Sequence, residues 1–285
     1  MIDIRDYGAS GVGTEDDSAA IQRAIDAAVG PVYFPPGRYL VGQTLTVSSP
    51  SVKLWGHGDH NTRGSRPVEI KYTGKGTLLR LSGETSGFRM EGLFLTGPSS
   101  GGNTKAIVVE TADKFQSGLT LERVGIIQFG TAVTIRKPAA VKNRWVGKLL
   151  IRECAFQNNG QALVCEGSGV TNLDILQSEI TQHKATAGPV IDVTAERLSV
   201  VGCNLEGQSR AIRVTDSHTV RVAECYLEGN AEYWLHATRV QGLWFVGNYL
   251  RQLKDETYVE PVVLRECLNL VVERPTVNRG GWEIP

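Results

Sequence analysis

The sequence predicts an all-β protein whose strands coil into a parallel β-helix, with one capping α-helix at the amino-terminal end. Three observations lead to this prediction. Short runs of Val, Ile and Leu recur beyond residue 85, at offsets of 22 to 31 residues. Apolar residues alternate with polar ones inside each run, which indicates strands. Only one stretch, near the amino terminus, has apolar residues at helical spacing. A repeat of this length made of strands indicates a solenoid.

The capping helix is predicted over residues 16–28. Its apolar residues fall on one face at helical spacing: Ile21, Ala24, Ile25 and Ala28. Asp16, Asp17 and Ser18 are residue types that favour helix amino termini, so we assign the Asp pair to capping rather than to metal or acid–base chemistry. An amphipathic helix at the end of a coil would cover strand edges that otherwise promote aggregation.

The repeat is clearest between residues 198–207, LSVVGCNLEG, and residues 220–229, VRVAECYLEG. The two apolar positions at the start, the Cys, the Leu, the Glu and the Gly coincide at an offset of 22 residues. Looser copies begin at Phe88, Leu119, Leu149, Leu173 and Leu243. Each unit continues through a polar turn into a second alternating run, such as Ala211–Val214, which gives about three strands per coil.

Equivalent positions of successive coils stack about 4.8 Å apart, so the repeat also predicts columns of side chains. One inward column comprises Cys154, Ser178, Cys203, Cys225 and Asn248. Cys203 and Cys225 would be close enough for a disulfide, but we favour reduced, packed thiols because synthesis in the cytoplasm is predicted. The cysteines form neither a CxxC pair nor a zinc spacing, so neither a metal site nor a cofactor is predicted.

Composition limits the classes of partner. The 285 residues include 30 basic and 30 acidic side chains, so no diffuse positive field favours nucleic acid. No signal peptide and no long apolar stretch is recognisable, which predicts a product made in the cytoplasm that does not enter a membrane. A virion protein of this kind would leave its host by lysis.

The amino-terminal region resembles a known family. Residues 4–28, IRDYGASGVGTEDDSAAIQRAIDAA, and residues 30–39, GPVYFPPGRY, are similar to the opening of pectate-lyase-superfamily β-helix proteins. The resemblance implies a single-stranded, right-handed parallel β-helix, a fold shared by phage tailspikes, polysaccharide lyases, glycoside hydrolases and epimerases. The matching segment is a fold signature and carries no catalytic residue. Gly56-His57-Gly58 is similar to the polygalacturonase histidine motif but lacks the preceding aspartate motifs, so we assign it to a turn. The calcium-binding cluster of pectate lyases and the epimerase Asp-Pro-His-Glu segment are not recognisable.

An outward column follows the second apolar run of each unit: Thr96, Ile127, Gln157, Thr181, Glu206, Glu228 and Arg251. Glu206 and Glu228 are therefore expected to stack, and they are the candidate catalytic residues. A carboxyl separation of about 5 to 5.5 Å is typical of retaining glycosidases, and repulsion at that distance raises one pKa. Arg251 is expected to bind substrate. The alternative is that both glutamates are solvated turn residues.

A second outward column, one strand later, is predicted to contain Asp192, Arg213 and His236 if the loop after Gly229 holds one extra residue. Tyr226 and Trp234 lie near these positions and suit sugar rings, so all five are candidate substrate-binding residues. The alternatives are that Trp234 fills the interior and that His236 satisfies a local hydrogen bond. The stretch 139–145 interrupts the repeat and is expected to form a binding surface, a solvated insertion or a subunit contact.

These features favour a phage tailspike-like protein that recognises a bacterial surface polysaccharide, while depolymerisation stays open. The alternatives are a non-catalytic structural virion spike or decoration module, and a bacterial polysaccharide lyase or hydrolase. Expected partners are the polysaccharide, two further copies in a homotrimer and other virion proteins, located on the virion or outside the lysed cell. Residues 1–30 are expected to cap the coil, 31–270 to form it, and 271–285 to form a second cap or subunit contact.

Overall fold

The computed structural model describes residues 1–58, 66–181, 188–207, 210–229, 232–252, 262–273 and 276–279. These residues are nearly all β and form 28 strands. In chain order the strands are β1 (Ile2–Asp3), β2 (Val12–Asp16), β3 (Pro31–Phe34), β4 (Gly37–Val41), β5 (Leu45–Val47), β6 (Lys53–Gly56), β7 (Val68–Tyr72), β8 (Thr77–Leu81), β9 (Arg89–Glu91), β10 (Phe94–Thr96), β11 (Lys105–Glu110), β12 (Leu119–Glu122), β13 (Gly125–Ile127), β14 (Thr131–Arg136), β15 (Trp145–Arg152), β16 (Ala155–Gln157), β17 (Gln161–Glu166), β18 (Gly169–Leu176), β19 (Glu179–Thr181), β20 (Ile191–Val201), β21 (Asn204–Glu206), β22 (Arg210–Ala223), β23 (Tyr226–Glu228), β24 (Tyr233–Val246), β25 (Tyr249–Gln252), β26 (Val262–Arg265), β27 (Leu270–Val272) and β28 (Thr276–Arg279).

One α-helix, α1 (Ser18–Asp26), and one short 3₁₀ helix, Ile4–Tyr7, accompany the strands. Helix α1 is two residues shorter at each end than predicted. The side chain of Asp16 accepts a hydrogen bond from the backbone N–H of Ser18 at 2.9 Å, as a helix-start residue should. The sequence predicted that the side chain of Asp17 caps the helix, but this buried side chain makes no capping hydrogen bond. Its carboxylate instead accepts the N–H groups of Ser10 and Gly11, which fixes the loop before the helix.

The described strands pair in parallel and divide into two sheets. The first sheet contains β2, β4, β7, β10, β13, β16, β19, β21, β23, β25 and β28. The other sheet contains two ladders. The second ladder comprises β5, β8, β11, β14, β17 and β26 with the first halves of β20, β22 and β24; the third ladder comprises β1, β3, β6, β9, β12, β15, β18 and β27 with the second halves of those three strands.

Each strand pairs with the equivalent strand one repeat further along the chain. The predicted repeat starts are direct partners: Leu119, Leu149, Leu173, Leu198, Val220 and Leu243. A coil of three strands per repeat is therefore confirmed over most of the chain, as in a parallel β-helix. The strands β20, β22 and β24 are longer than predicted because the second and third ladders join without an interruption there.

A single residue turns the chain from the third ladder to the first sheet. It has a left-handed backbone conformation in seven successive coils, at Gly92, Arg123, Glu153, Gln177, Gly202, Glu224 and Gly247. The corner keeps the hydrogen bonding between coils. The N–H of Gln177 donates to the carbonyl of Val201, and the N–H of Gly202 donates to that of Ala223, both at 3.0 Å. This bend exchanges the inward and outward sides of the chain, so the residue that follows it points inward.

The predicted inward column follows this corner. Cys154, Ser178, Cys203, Cys225 and Asn248 are all buried. The Asn248 side chain accepts the N–H of Cys225 and donates to the carbonyl of Val222, both at 3.0 Å, which satisfies backbone groups inside the coil. All five cysteines are free thiols, as expected.

Helix α1 contacts β5, the first strand of the second ladder. Ile21, Ala24 and Ile25 are buried against the core. The side-chain amide of Gln22 accepts the N–H of Thr46 at 2.8 Å and donates to its carbonyl at 2.9 Å. Gln22 therefore bonds to β5 as a neighbouring strand would. At the other end of the chain, most of the predicted segment 271–285 lies outside the described residues.

Candidate functional site

The outward column predicted to carry the chemistry runs along the first sheet. Its members are direct register partners from coil to coil: Thr96, Ile127, Gln157, Thr181, Glu206, Glu228 and Arg251. Thr96, Ile127 and Thr181 are buried, whereas the two glutamates are half-buried and Arg251 is exposed. The accessible, charged part of the column is therefore its carboxyl-terminal part.

Short strands of three or four residues fix the direction of these side chains. The middle residues Leu205, Leu227 and Leu250 are buried, so the residues on either side point outward. Gly207 and Gly229 end β21 and β23 in left-handed conformations. Their N–H groups donate to the carbonyls of the next coil, so register is kept to the end of each strand. The stacking of Glu206 on Glu228 thus follows from backbone geometry.

The two glutamates have different partners. Glu206 accepts a hydrogen bond from the side-chain amide of Asn204 at 2.8 Å. Glu228 accepts one from the hydroxyl of Tyr226 and forms an ion pair with Arg251, whose Nη1 lies 3.5 Å from Oε2. The Glu228 side chain is 20% exposed and that of Arg251 is 44% exposed, so both can be reached from solvent. Two charge-assisted contacts therefore hold the Glu228 carboxylate in place.

Tyrosine residues border this charged group. The rings of Tyr226 and Tyr249 stack with centroids 5.6 Å apart and planes 16° apart. Burial raises the pKa of Tyr226, and its hydrogen bond to Glu228 raises that pKa further. The hydrogen bond with the Tyr226 hydroxyl raises the pKa of Arg251, and the negative charge of Glu228 raises it further. Tyr226, Glu228 and Arg251 thus form one connected polar group next to an aromatic surface.

The second predicted column lies on the second ladder. Asp192, Arg213 and His236 are direct register partners, as expected for one extra residue after Gly229. Arg213 makes two hydrogen bonds to Asp192, one of them from Nε at 2.8 Å. The Nε2 atom of His236 is buried without a hydrogen-bond partner, and the ring of Tyr233 packs edge-on against the imidazole at 5.4 Å. Burial lowers the pKa of His236, and the positive charges of Arg265 and Arg213 lower it further.

The structure corrects the expected position of Trp234. This side chain is 6% exposed and belongs to the hydrophobic core, so it does not offer a ring to a substrate. The half-exposed Tyr233 next to it is the outward aromatic residue instead. Arg213 and Glu228 lie on different sheets, so the predicted residues form two groups: one on the first sheet and one on the second ladder.

Several residues of these groups were not predicted. Tyr249 is the register partner of Tyr226 and stands two residues before Arg251, so the repeat itself could have identified it. Arg210 pairs with Glu232 at 2.6 Å near the second column. Neither residue belongs to the predicted columns, so the repeat gave no signal for this pair.

No group of three or more His, Cys, Asp or Glu side chains that could hold a metal ion occurs within the described ranges. Among the helices of those ranges, none combines the length and the apolar character needed to cross a membrane.

Comparison with known proteins identifies the family to which the chain belongs. The fold is that of pectate-lyase-like β-helix proteins, and the family model described as "Rhamnogalacturonase A/epimerase, pectate lyase-like" matches residues 1–205. The chain belongs to this family. Glu206, Glu228 and Arg251 lie beyond the matched residues, so the match assigns no role to them.

Two curated relatives match over limited segments. Mannuronan C5-epimerase AlgE6 of Azotobacter vinelandii is 32% identical over 146 residues, which are 43% of this chain and 16% of the epimerase. Plasmin and fibronectin-binding protein A of Streptococcus pneumoniae is 49% identical over 53 residues, which are 17% of this chain and 7% of that protein. The chain thus spans a minor part of the relatives it matches.

Solved structures share the fold over nearly the whole chain. The A-module of the same epimerase superimposes with a TM-score of 0.59 at 22% identity, covering 93% of this chain and 80% of the module. The enzymatically active domain of tailspike protein 2 from bacteriophage CBA120 gives a TM-score of 0.63 at 12% identity, covering 93% of this chain and 41% of that domain. At these identities the likeness establishes the fold alone.

Proposed function

We propose that the chain is a phage tailspike-like protein that binds a bacterial surface polysaccharide on the outer face of its first sheet. The observation that carries the proposal is the register of Glu206, Glu228 and Arg251, which places three ionisable side chains next to one another on an accessible face. The tailspike and epimerase neighbours, whose names describe an active tailspike domain and a mannuronan epimerase, support a ligand of this class.

The arrangement suits a polymer of sugars. The stacked rings of Tyr226 and Tyr249 provide an aromatic surface for the apolar side of a sugar ring. Arg251 and Glu228 provide a donor and an acceptor for hydroxyl or carboxylate groups. Because the column continues from coil to coil, an extended polymer can bind along the coil axis.

We propose Glu206 and Glu228 as the catalytic residues of a protein that cleaves the bound polymer. Their backbone positions are one coil apart, about 4.8 Å, which is compatible with the carboxyl spacing of retaining glycosidases. Glu228 is the proposed nucleophile, because the Tyr226 hydroxyl and Arg251 hold its carboxylate. Glu206, whose carboxyl group accepts a hydrogen bond from a neutral amide, is the proposed proton donor.

The second column is proposed to contact the same polymer from the neighbouring ladder. Arg213 is already paired with Asp192, so this pair would bind hydroxyl groups as a fixed donor and acceptor. His236, the register partner of Arg213, is proposed to contact the polymer through the exposed part of its ring, because its Nε2 atom is buried.

The proposed architecture is a right-handed coil over residues 31–270 that residues 1–30 cap. The two hydrogen bonds between Gln22 and Thr46, together with the buried face of α1, support the capping role. We further propose that three copies assemble side by side on a virion, with residues 271–285 at their contact. Light scattering of the purified chain would measure the number of copies.

Affinity electrophoresis and a reducing-end assay test the proposed function together. Purified capsular and O-antigen polysaccharides and mannuronan would be cast into native gels and also incubated with the protein. Arg251→Ala should weaken binding of a retarding polysaccharide about tenfold, which matches the loss of one charged hydrogen bond. Glu15→Gln, an exposed glutamate at the other end of the first sheet, should have no effect.

The outcomes separate the alternatives. Hydrolysis at this pair would be established by reducing ends that are released without an unsaturated sugar, because elimination leaves an unsaturated sugar at the new non-reducing end. Glu206→Gln and Glu228→Gln should each reduce that release by about a hundredfold or more. Binding without product would identify a receptor-binding spike. A chain that binds none of these glycans, but assembles stably with other virion proteins, would be a structural module and would contradict the proposal.

A further inference from the structure

Two aromatic side chains lie outside the coil on neighbouring coils, at the corner between the second and third ladders. Phe115 is 59% exposed, and Trp145 is half-exposed. Phe115 directly precedes Gln116, and Trp145 directly precedes Val146; these two following residues form a parallel bridge between neighbouring coils. We call Phe115 and Trp145 the aromatic platform. It does not belong to the first-sheet site or to the Asp192, Arg213 and His236 column.

Glycines beneath the platform hold each ring close to the backbone of the next coil. A Cβ atom on Gly147 would lie 2.7 Å from Cε1 of Phe115, and a Cβ atom on Gly169 would lie 2.5 Å from Cζ3 of Trp145. Each ring therefore occupies the space that a side chain would take. Both glycines are buried under the rings, and the remainder of each ring is in contact with solvent.

Polar contacts fix the loops that carry the platform. The Asn143 side chain accepts the N–H of Trp145 and donates to its carbonyl and to that of Ala112, each at 3.0 Å. The N–H of Lys142 donates to the side chain of Asp113 at 2.9 Å. Gln116 is buried and bonds to Thr85 and to the carbonyl of Glu110. The rings are thus held in position before any ligand binds, which lowers the entropy cost of binding.

We propose that the aromatic platform is a second contact surface for polysaccharide, which binds the C–H faces of two sugar rings. Exposed aromatic rings fixed on neighbouring coils suit pyranose rings, which have apolar faces and polar edges. The exposed guanidinium of Arg144 lies over the ring of Trp145, with Cζ 5.2 Å from the ring centroid, and can donate to the hydroxyl groups of a sugar that is bound beside it. This inference depends on the proposed polysaccharide-binding function for its ligand class, but it concerns a different part of the surface.

Native gels containing mannuronan, dextran or O-antigen polysaccharide test the platform. Phe115→Ala and Trp145→Ala should each weaken binding of the retarding polysaccharide about tenfold, whereas Phe115→Tyr and Trp145→Phe should retain most of it. Gly147→Ala should weaken binding as well, because it keeps the Phe115 ring but displaces it. Melting temperatures would verify that each variant is folded.

Trp244→Ala is the matched control. Trp244 is 39% exposed and lies over Gly242, but it is on β24, four coils further along the third ladder. The Trp244→Ala variant should bind the polysaccharide as tightly as the wild type does. An equal loss in Trp244→Ala, or unchanged binding in Phe115→Ala and Trp145→Ala, would overturn the inference.

The same gels distinguish failure of this inference from failure of the proposed function. If only Arg251→Ala weakens binding, the first-sheet site stands and the platform does not. If only the platform variants weaken binding, the platform stands and the first-sheet site does not. If the wild type binds no polysaccharide, both are wrong. If Phe115→Ala instead reduces the number of copies measured by light scattering, the platform is a protein contact and the inference is also wrong.

Discussion

The corner between the third ladder and the first sheet gives the sharpest prediction about the coil. Gly202 occupies this corner with φ of +63°, and a Cβ added there would have Cγ of Gln177 as its nearest neighbour, at 3.6 Å. Gly202→Ala therefore introduces no clash and costs only the left-handed backbone, about 1–2 kcal/mol. The smaller entropy of the unfolded alanine chain returns about 0.5–1 kcal/mol, so the net loss of stability should be about 0.5–1 kcal/mol.

Gly125 and Gly30 provide the comparison. A Cβ on Gly125 would lie 2.3 Å from two ring atoms of the fully buried Phe94, so Gly125→Ala should cost about 1–3 kcal/mol or more through overpacking. Gly30 has open space around it, so Gly30→Ala should be neutral or slightly stabilising. Equilibrium urea unfolding followed by circular dichroism would measure all three. A Gly202→Ala variant as stable as Gly30→Ala, or as destabilised as Gly125→Ala, would refute the account of the corner.

Three further predictions concern the cap, the second column and the thiols. Gln22→Ala leaves the N–H and carbonyl of Thr46 unpaired and should destabilise the protein by about 1–3 kcal/mol in urea unfolding. Asp26→Ala, which removes only the exposed hydrogen bond between Gln22 and Asp26, should cost less, and equal costs would contradict the pairing. Because burial lowers the pKa of His236, the unfolded chain binds its proton first as the pH falls below about 6.5, so stability that is present above that pH is lost. His236→Asn should reduce this loss below about pH 6.5, and an unchanged dependence of the unfolding free energy on pH would argue against it. Burial raises the pKa of Cys154 and of Cys165 to about 12. In the folded protein a thiol reagent should therefore modify the half-buried Cys267 first, and Cys154 only after unfolding. Modification of Cys154 before unfolding would contradict its burial.

The repeat was enough to predict the columns. Two segments with Leu-Glu-Gly at an offset of 22 residues fix the stacking of Glu206 on Glu228, because a parallel coil aligns equivalent positions. The inward column of Cys203 and Cys225 follows in the same way. These predictions require only that the repeats are aligned with one another. Extra residues in the turns between strands then do not change which residues stack.

The position of Trp234 shows where alternation fails. The second-ladder strands begin with two consecutive buried residues, as in Ala106 and Ile107 or Ala211 and Ile212. Trp234 and Leu235 occupy those two positions in the last long strand, so the Trp side chain points inward. An alanine at the first of the two positions in earlier coils was the available signal. A strict period of two cannot represent a bend at the start of a strand.

The partners of the site residues could not be predicted. That Tyr226 and Arg251 both contact Glu228 depends on side-chain conformations, which stacking alone does not determine. The aromatic platform was only partly foreseeable: the interrupted stretch 139–145 marked a surface insertion, but the pairing of Phe115 with Gly147 joins segments of irregular spacing. Irregular loops lack the repeat that defines register elsewhere.

A crystal structure of the protein with an oligosaccharide, taken from a polysaccharide that retards it in the gel, would show whether the first sheet binds the polymer. We expect a sugar residue on the outer face of the first sheet, within hydrogen-bonding distance of Glu228 and Arg251 and against the ring of Tyr226 or Tyr249. An oligosaccharide that is bound elsewhere, with no contact to the first sheet, would contradict this expectation.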